Sequence, residues 1–200
     1  MTPTATRPDP TPSTQTEAAT YQRLRAHLAF LKLTDAADAL ARVLDEARAD
    51  RLGPVSALER LLAVEVAATE DRRLTSRLRF ACLPAPWTLE DFDYTAQPGV
   101  DEALIRELAT LRFLDQGTNV LLVGPPGVGK TMLAVGLARA ATHAGHRVYF
   151  TTAADLAARC HKAAIEGRWA TMMRFYAGPT LLAIDLCRYR DYAEEPVGAP

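Results

Sequence analysis

From about Thr20 to Leu83, apolar residues recur at helical spacing. Leu24, His27, Leu28 and Leu31 follow i, i+3, i+4, i+7 and predict one helix. Thr34 is placed to cap a second, carrying Ala37, Leu40, Ala41 and Leu44. Gly53-Pro54 breaks the pattern, and Ser56 with Glu59 forms a capping box that opens a third helix through Leu58, Leu61, Leu62 and Glu65 and on to Phe80. These stripes predict a small all-helical module over residues 20–83. Pro84-Ala85-Pro86-Trp87 ends it, and residues 84–100 read as an extended linker. Its Trp87, Phe92 and Tyr94 either anchor the linker to the next domain or offer one ring to a base pocket.

Beyond residue 100 the period changes. Leu104, Ile105, Leu108, Leu111 and Leu114 make one apolar stripe of a helix from Asp101 to Gln116. Short apolar runs and helical stretches then alternate. NVLLV at 119–123 predicts a strand, Lys130 to about His143 a helix, RVYFTT from Arg147 a strand, AADLAARCHKAAIEG a helix, and TLLAID from Thr180 a strand. The order β-α-β-α-β predicts an α/β domain, residues 101–185, with a parallel three-layer sheet and right-handed crossovers.

Between the first of those strands and its helix stands Gly124-Pro125-Pro126-Gly127-Val128-Gly129-Lys130-Thr131, which satisfies every position of the P-loop pattern G-x-x-x-x-G-K-[ST]. Glycines at these positions let successive backbone N–H groups turn inward around a β-phosphate with no Cβ in the way. Lys130 then reaches the β- and γ-phosphates. Thr131 opens the helix, where its hydroxyl can ligate Mg²⁺ and the helix N-terminus faces negative charge. An ordinary Gly/Pro turn would not need this spacing, and the flanking strand and helix patterns supply the P-loop's context. Downstream, Leu181-Leu182-Ala183-Ile184 ends in Asp185. An apolar strand ending in Asp is what a Walker B site needs, since its carboxylate emerges at the carboxyl edge of the sheet beside the P-loop.

Composition narrows the remaining choices. With 200 residues, 48% of them hydrophobic, the chain can bury a sizeable core. A formal net charge of -1 gives no global attraction to nucleic acid or membrane, so polyanion binding must come from a local patch. Such a patch exists in RRLTSRLRF, where Arg72, Arg73, Arg77 and Arg79 either track a phosphate backbone or form a solvated helix end that suits the macrodipole. Cys82, Cys160 and Cys187 form no C-x-x-C pair and read as reduced packing residues, while His27 and His161 have no ligand-spaced neighbour. No apolar run is long enough to span a membrane, which makes cytoplasm the expected location. Residues 1–19, rich in Pro and Thr, predict a disordered tail.

The arginine-bearing helical module, TLEDFDY, ELATLRFL, NVLLVGPPGVGKT, FTTAADL and LLAID together resemble the IstB family of insertion-sequence helper ATPases over roughly residues 20–185. DnaC-type helicase loaders, which share the AAA+ core, are the nearest alternative. The resemblance implies an AAA+-like P-loop NTPase that takes ATP and Mg²⁺, binds duplex DNA, works with a transposase and self-assembles when intact. It assigns Gly124, Gly127, Gly129, Lys130 and Thr131 to Walker A and Asp185 to Walker B. After Asp185 the pattern departs. Leu186 stands where the family has a glutamate, and residues 186–200 read as a divergent tail. The expectation is therefore an incomplete core that binds ATP but hydrolyses it poorly or not at all, or a remnant of such a gene. Glu194 and Glu195 are the only carboxylates in the tail after Asp191, and nothing in the pattern places them beside a γ-phosphate.

Overall fold

The structure, a computed structural model, describes residues 12–186. The chain divides between Arg72 and Arg73 into two compact units.

The first unit contains α1 (Pro12–Phe30), α2 (Thr34–Ala49) and the greater part of α3 (Pro54–Ala81). Helix α1 begins inside the stretch expected to be a disordered tail; residues 1–11 of that stretch lie outside the described residues. Proline opens both α1 and α3, and Ser56 consequently lies within the first turn of α3 instead of capping it. Proline costs nothing there, because the N–H it lacks would have had no helical acceptor. Leu28, Ala36, Ala37, Leu40, Val43 and Leu61 form the core, with Leu40 and Val43 each only 1% exposed. The buried faces are rotated from the expected stripes. Ala41 is exposed while Ala36, Val43 and Ala47 are buried, and Leu24, Leu31, Leu58 and Leu62 remain exposed.

Thr34 does not cap α2, whose N-cap position is Leu33 and receives no side-chain hydrogen bond. The first turn is satisfied from another helix instead. Buried Glu65 of α3 accepts from the Ala36 N–H at 3.0 Å, placing a carboxylate at the positive end of α2. Arg72 donates to Glu65 at 3.0 Å and also to Asp35, so the buried carboxylate has a charge partner as well as a backbone donor. This guanidinium holds the Asp35 carboxyl below its usual range.

The second unit takes in the last turns of α3, then α4 (Glu102–Ala109), α5 (Arg112–Asp115), α6 (Lys130–His143), β1 (Val148–Thr152), α7 (Ala153–Ile165), α8 (Trp169–Tyr176) and β2 (Leu181–Asp185). The helical module expected to end at residue 83 thus gives up the end of α3 to this unit. Ala81 is fully buried in its core, and Phe80 packs at 5.7 Å from Tyr149 and 6.1 Å from Phe175 between ring centroids. The single helix expected over Asp101–Gln116 is broken in two. Leu111 adopts a left-handed conformation, φ 62°, and the resulting turn lets both Leu111 and Phe113 enter the core with Ala138, Ala141 and Val148. Two residues apart on one continuous helix, their side chains would point about 200° apart.

Strands β1 and β2 pair in parallel, from Val148 opposite Leu181 to Thr152 opposite Asp185, with α7 and α8 in the connection between them. Thr152 caps α7, accepting from the Asp155 N–H at 3.1 Å while its hydroxyl donates to the Asp155 carboxylate at 2.8 Å. The α/β class with a parallel sheet is as expected, but the third expected strand is not formed. Residues 119–123 join no ladder, and Val120, Leu121 and Val123 are 37%, 77% and 84% exposed. A β-branched apolar run supplies side chains for a strand; the strand itself requires a neighbouring backbone, and β2 does not lie against this segment as a hydrogen-bonded partner.

Candidate functional site

The P-loop residues Gly124–Thr131 connect the extended 119–123 segment to α6. Gly127 and Gly129 hold φ of 83° and 85°, the left-handed region that the glycines of the motif make accessible. A Cβ on Gly127 would meet open space, whereas one on Gly129 would lie 2.5 Å from Cε2 of Phe92. Gly129 is the N-cap of α6 and supplies no side chain to it. The first-turn N–H groups of the helix are therefore available to an anion. Lys130 Nζ donates to the carbonyls of Gly124 and Pro125 at 2.9 and 2.7 Å, folding the ammonium over the loop. Pro125, Pro126 and Val128 complete the loop, and the Val128 side chain reaches back to within 3.3 Å of a Cβ built on Gly124.

Thr131 Oγ1 donates to Asp185 Oδ2 at 2.9 Å across 54 positions of sequence. This contact brings the end of β2 to the first turn of α6 and joins the two oxygen ligands that the sequence assigned to magnesium. A hydroxyl and a carboxylate are the hard donors that this ion takes, and the lysine, the glycine-lined turn and the free helix end suit a triphosphate. The residues present fit ATP with Mg²⁺.

The segment read as an extended linker supports this site. Asp91 accepts from the Thr88 N–H at 2.7 Å and hydroxyl at 2.9 Å, and Asp93 accepts from the Thr95 hydroxyl at 2.6 Å and the N–H groups of Thr95 and Ala96. These hydrogen bonds hold both carboxyls below their usual range. The turns aim Phe92, 7% exposed, into a core with Ile105 and Leu133, its ring edge-on to Tyr94 at 4.9 Å. Leu89 fits over α6 at Gly136, where an added Cβ would come within 2.7 Å of its Cδ2. Of the two roles open to the linker aromatics, Phe92 takes the anchoring one. Sequence reading missed the strap-like contact with Gly129 and Gly136; Asp residues beside Thr88 and Thr95 were its only local signal.

The four arginines do not form one free cluster. Arg72 is paired with Asp35 and Glu65, and Arg77 Nε donates to the Thr142 carbonyl near the end of α6 at 3.2 Å. Arg73 and Arg79 are exposed. Leu186 is 73% exposed next to Asp185, and Glu194, Glu195 and Cys187 lie outside the described residues. Cys82 is exposed and Cys160 half-buried, so of these two only the latter approaches the expected packing role. Among the described residues no group of three or more His, Cys, Asp or Glu side chains is arranged to hold a metal ion, and no helix is long and apolar enough to cross a membrane.

Residues 26–197 match the family described as IstB-like ATP binding protein. The chain belongs to that family. The match continues beyond Asp185 through Leu186 and most of the tail read as divergent. Three relatives carry names of the same kind. An ATP-binding protein named for insertion sequence IS5376 of Geobacillus stearothermophilus is 42% identical over 132 residues, 66% of this chain and 53% of the relative. The protein Rv3427c of Mycobacterium tuberculosis, named as ATP-binding in an insertion sequence, is 37% identical over 169 residues, 84% of this chain and 67% of its own length. The ATP-binding protein named for IS21 of Pseudomonas aeruginosa is 38% identical over 166 residues, 83% and 63% of the two chains. The chain thus matches between about half and two thirds of the length of these IstB-like relatives.

Proposed function

We propose that this chain is an ATP-binding helper of an insertion-sequence transposition system, acting beside a transposase on duplex DNA. The observation that carries the nucleotide half is the Thr131–Asp185 contact at 2.9 Å beside a complete P-loop. The backbone N–H groups of the loop and the first turn of α6 hold the phosphates. Lys130 exchanges the Gly124 and Pro125 carbonyls for β- and γ-phosphate oxygens, while Thr131 and Asp185 hold the magnesium. Bound Mg²⁺ supplies positive charge that neutralises and orients the triphosphate.

Binding does not entail turnover. Rapid hydrolysis needs a group that orients the attacking water, and an arginine finger where present adds about 10³ to 10⁵ in rate. Leu186 offers no carboxylate at the position after Asp185. The chain therefore acts as a nucleotide-dependent binder with negligible ATPase activity. Duplex contact falls to the arginines of α3, with Arg73 and Arg79 contributing most because Arg72 and Arg77 already serve the fold. The relatives' insertion-sequence names support a transposase partner over the helicase partner of a DnaC-type loader.

Isothermal titration of the monodisperse chain with ATP and Mg²⁺ tests the reading. Lys130→Ala is expected to abolish the binding heat, and equal affinity in the two proteins would refute the P-loop assignment.

A further inference from the structure

Within the second unit, residues 117–124 and residues 179–186 face each other across a cleft of about 740 Å³. Eight consecutive residues line each long wall, with Phe113, Leu114, Ala134 and Leu137 among the residues that complete it. Consecutive lining is informative, because the side chains of an extended segment alternate between two faces. A wall made by one face would use every second residue; a wall made by every residue presents the backbone edge. One edge belongs to β2, whose other edge is paired with β1. The opposite edge belongs to the 119–123 segment, which joins no ladder.

The walls run in the same direction. Thr131, just beyond the end of the first, hydrogen-bonds Asp185 near the end of the second, and Gly117 and Pro179 begin the two walls. Their side chains also have the wrong exposure for a finished surface. Leu121 and Val123 are 77% and 84% exposed and Ile184 43%, although NVLLV and LLAI are runs suited to a sheet covered on both faces. Two parallel edges of equal length, both apolar and both short of a backbone partner, form a receptor for one strand. A small apolar molecule would cover the side chains but leave the peptide N–H and C=O groups along both edges without partners. Polypeptide of the family beyond the matched span also exists, since the relatives' matched portions reach only 53–67% of their length.

We propose that this cleft is a strand-acceptor site, which takes one apolar, β-branched segment of another polypeptide in parallel between residues 119–123 and β2. Pairing on both sides would turn two separate edges into a continuous sheet and fix the segment that leads into the P-loop. The inference does not depend on nucleotide binding, and its test contains no nucleotide.

The test is hydrogen–deuterium exchange of the full chain with the synthetic peptide KKVIVIVKK, set against the same peptide with proline at its central position, which removes a ladder donor. The expected result is slowed exchange at 119–123 and at the β2 amides that face the cleft, by about tenfold at ten times the peptide's Kd. The proline peptide should leave both segments unchanged. Leu121→Asp should abolish the response by placing a carboxylate where the strand would bury it; the native side chain is exposed, so the variant's urea midpoint should stay at the wild-type value. Absence of slowing in the wild type would overturn the proposal, as would equal slowing by both peptides. Protection of 119–123 in the free chain would overturn it too, showing that the chain fills its own cleft. Protection that rises with protein concentration alone would assign the cleft to a second copy and likewise overturn it.

Discussion

Gly127 and Gly129 share a motif and nearly the same backbone conformation, yet alanine at the two positions should have different costs. Both hold positive φ, and a side chain in the left-handed region costs about 1–2 kcal/mol. At Gly127 that is the whole expected loss, because a Cβ there has nothing within 4 Å. At Gly129 the new Cβ lies 2.5 Å from Phe92 Cε2 and 3.3 Å from Cζ, so the ring must leave a site where it is only 7% exposed. Overpacking of this kind adds about 1–3 kcal/mol, for a total of about 2–5. Phe92→Leu removes both of those ring atoms. In that background Gly129→Ala should fall to the cost of Gly127→Ala, a coupling that a double-mutant cycle reads directly. Urea unfolding followed by tryptophan fluorescence is the assay, since Trp87 and Trp169, the two tryptophans of the chain, both belong to the second unit. Equal losses for the two alanine variants would refute the argument, and so would an excess at Gly129 that persists with leucine at position 92.

Acid should weaken the first unit in a specific way. Arg72 lowers the Asp35 pKa, so the pair's contribution is full above the unfolded value near 3.9 and fades as pH falls through the lower folded value. Thermal midpoints of wild type and Asp35→Asn should differ at pH 7 and converge in strong acid; a gap that widens on acidification would contradict the pairing. In fluorescence-anisotropy titrations with duplex DNA, Arg73→Ala and Arg79→Ala should each weaken binding across sequences and reduce the salt slope by about 1. Arg77→Ala should chiefly lower the urea midpoint through loss of its bond to the Thr142 carbonyl, and salt-insensitive affinity would remove the arginines from the DNA reading. Phosphate release should remain negligible in the unmodified chain and in Leu186→Glu, because one carboxylate supplies neither an arginine finger nor positioned water; steady turnover by the unmodified chain would refute the inactive-site assignment.

The phosphate site was legible in the sequence because its chemistry is local. Glycine spacing fixes where the loop can turn, Lys130 and Thr131 follow the turn at fixed offsets, and the helical pattern after them is long enough to announce α6. Asp185 was also legible, since the apolar run before it sets the end of β2, though only folding could place it 2.9 Å from Thr131. The same local rules located β1, α7 and the Thr152 step into that helix.

Features that depend on a partner from elsewhere in the chain were decided by tertiary structure. Periodicity shows that a helix has an apolar face but leaves its orientation open by a residue or so, which is why Val43 and Ala47 are buried while Leu24 and Leu31 are exposed. Leu111 and Phe113 meet one core only through a left-handed break that no stripe encodes. Glu65 satisfies the start of α2 from 29 residues away, and its charge partner Arg72 is thereby withdrawn from the cluster that looked uniform in sequence. The 119–123 segment shows the limit most plainly. Its residues specify side chains fit for a buried strand, but a β-strand is defined by hydrogen bonds to another backbone, and no segment's own sequence can supply those.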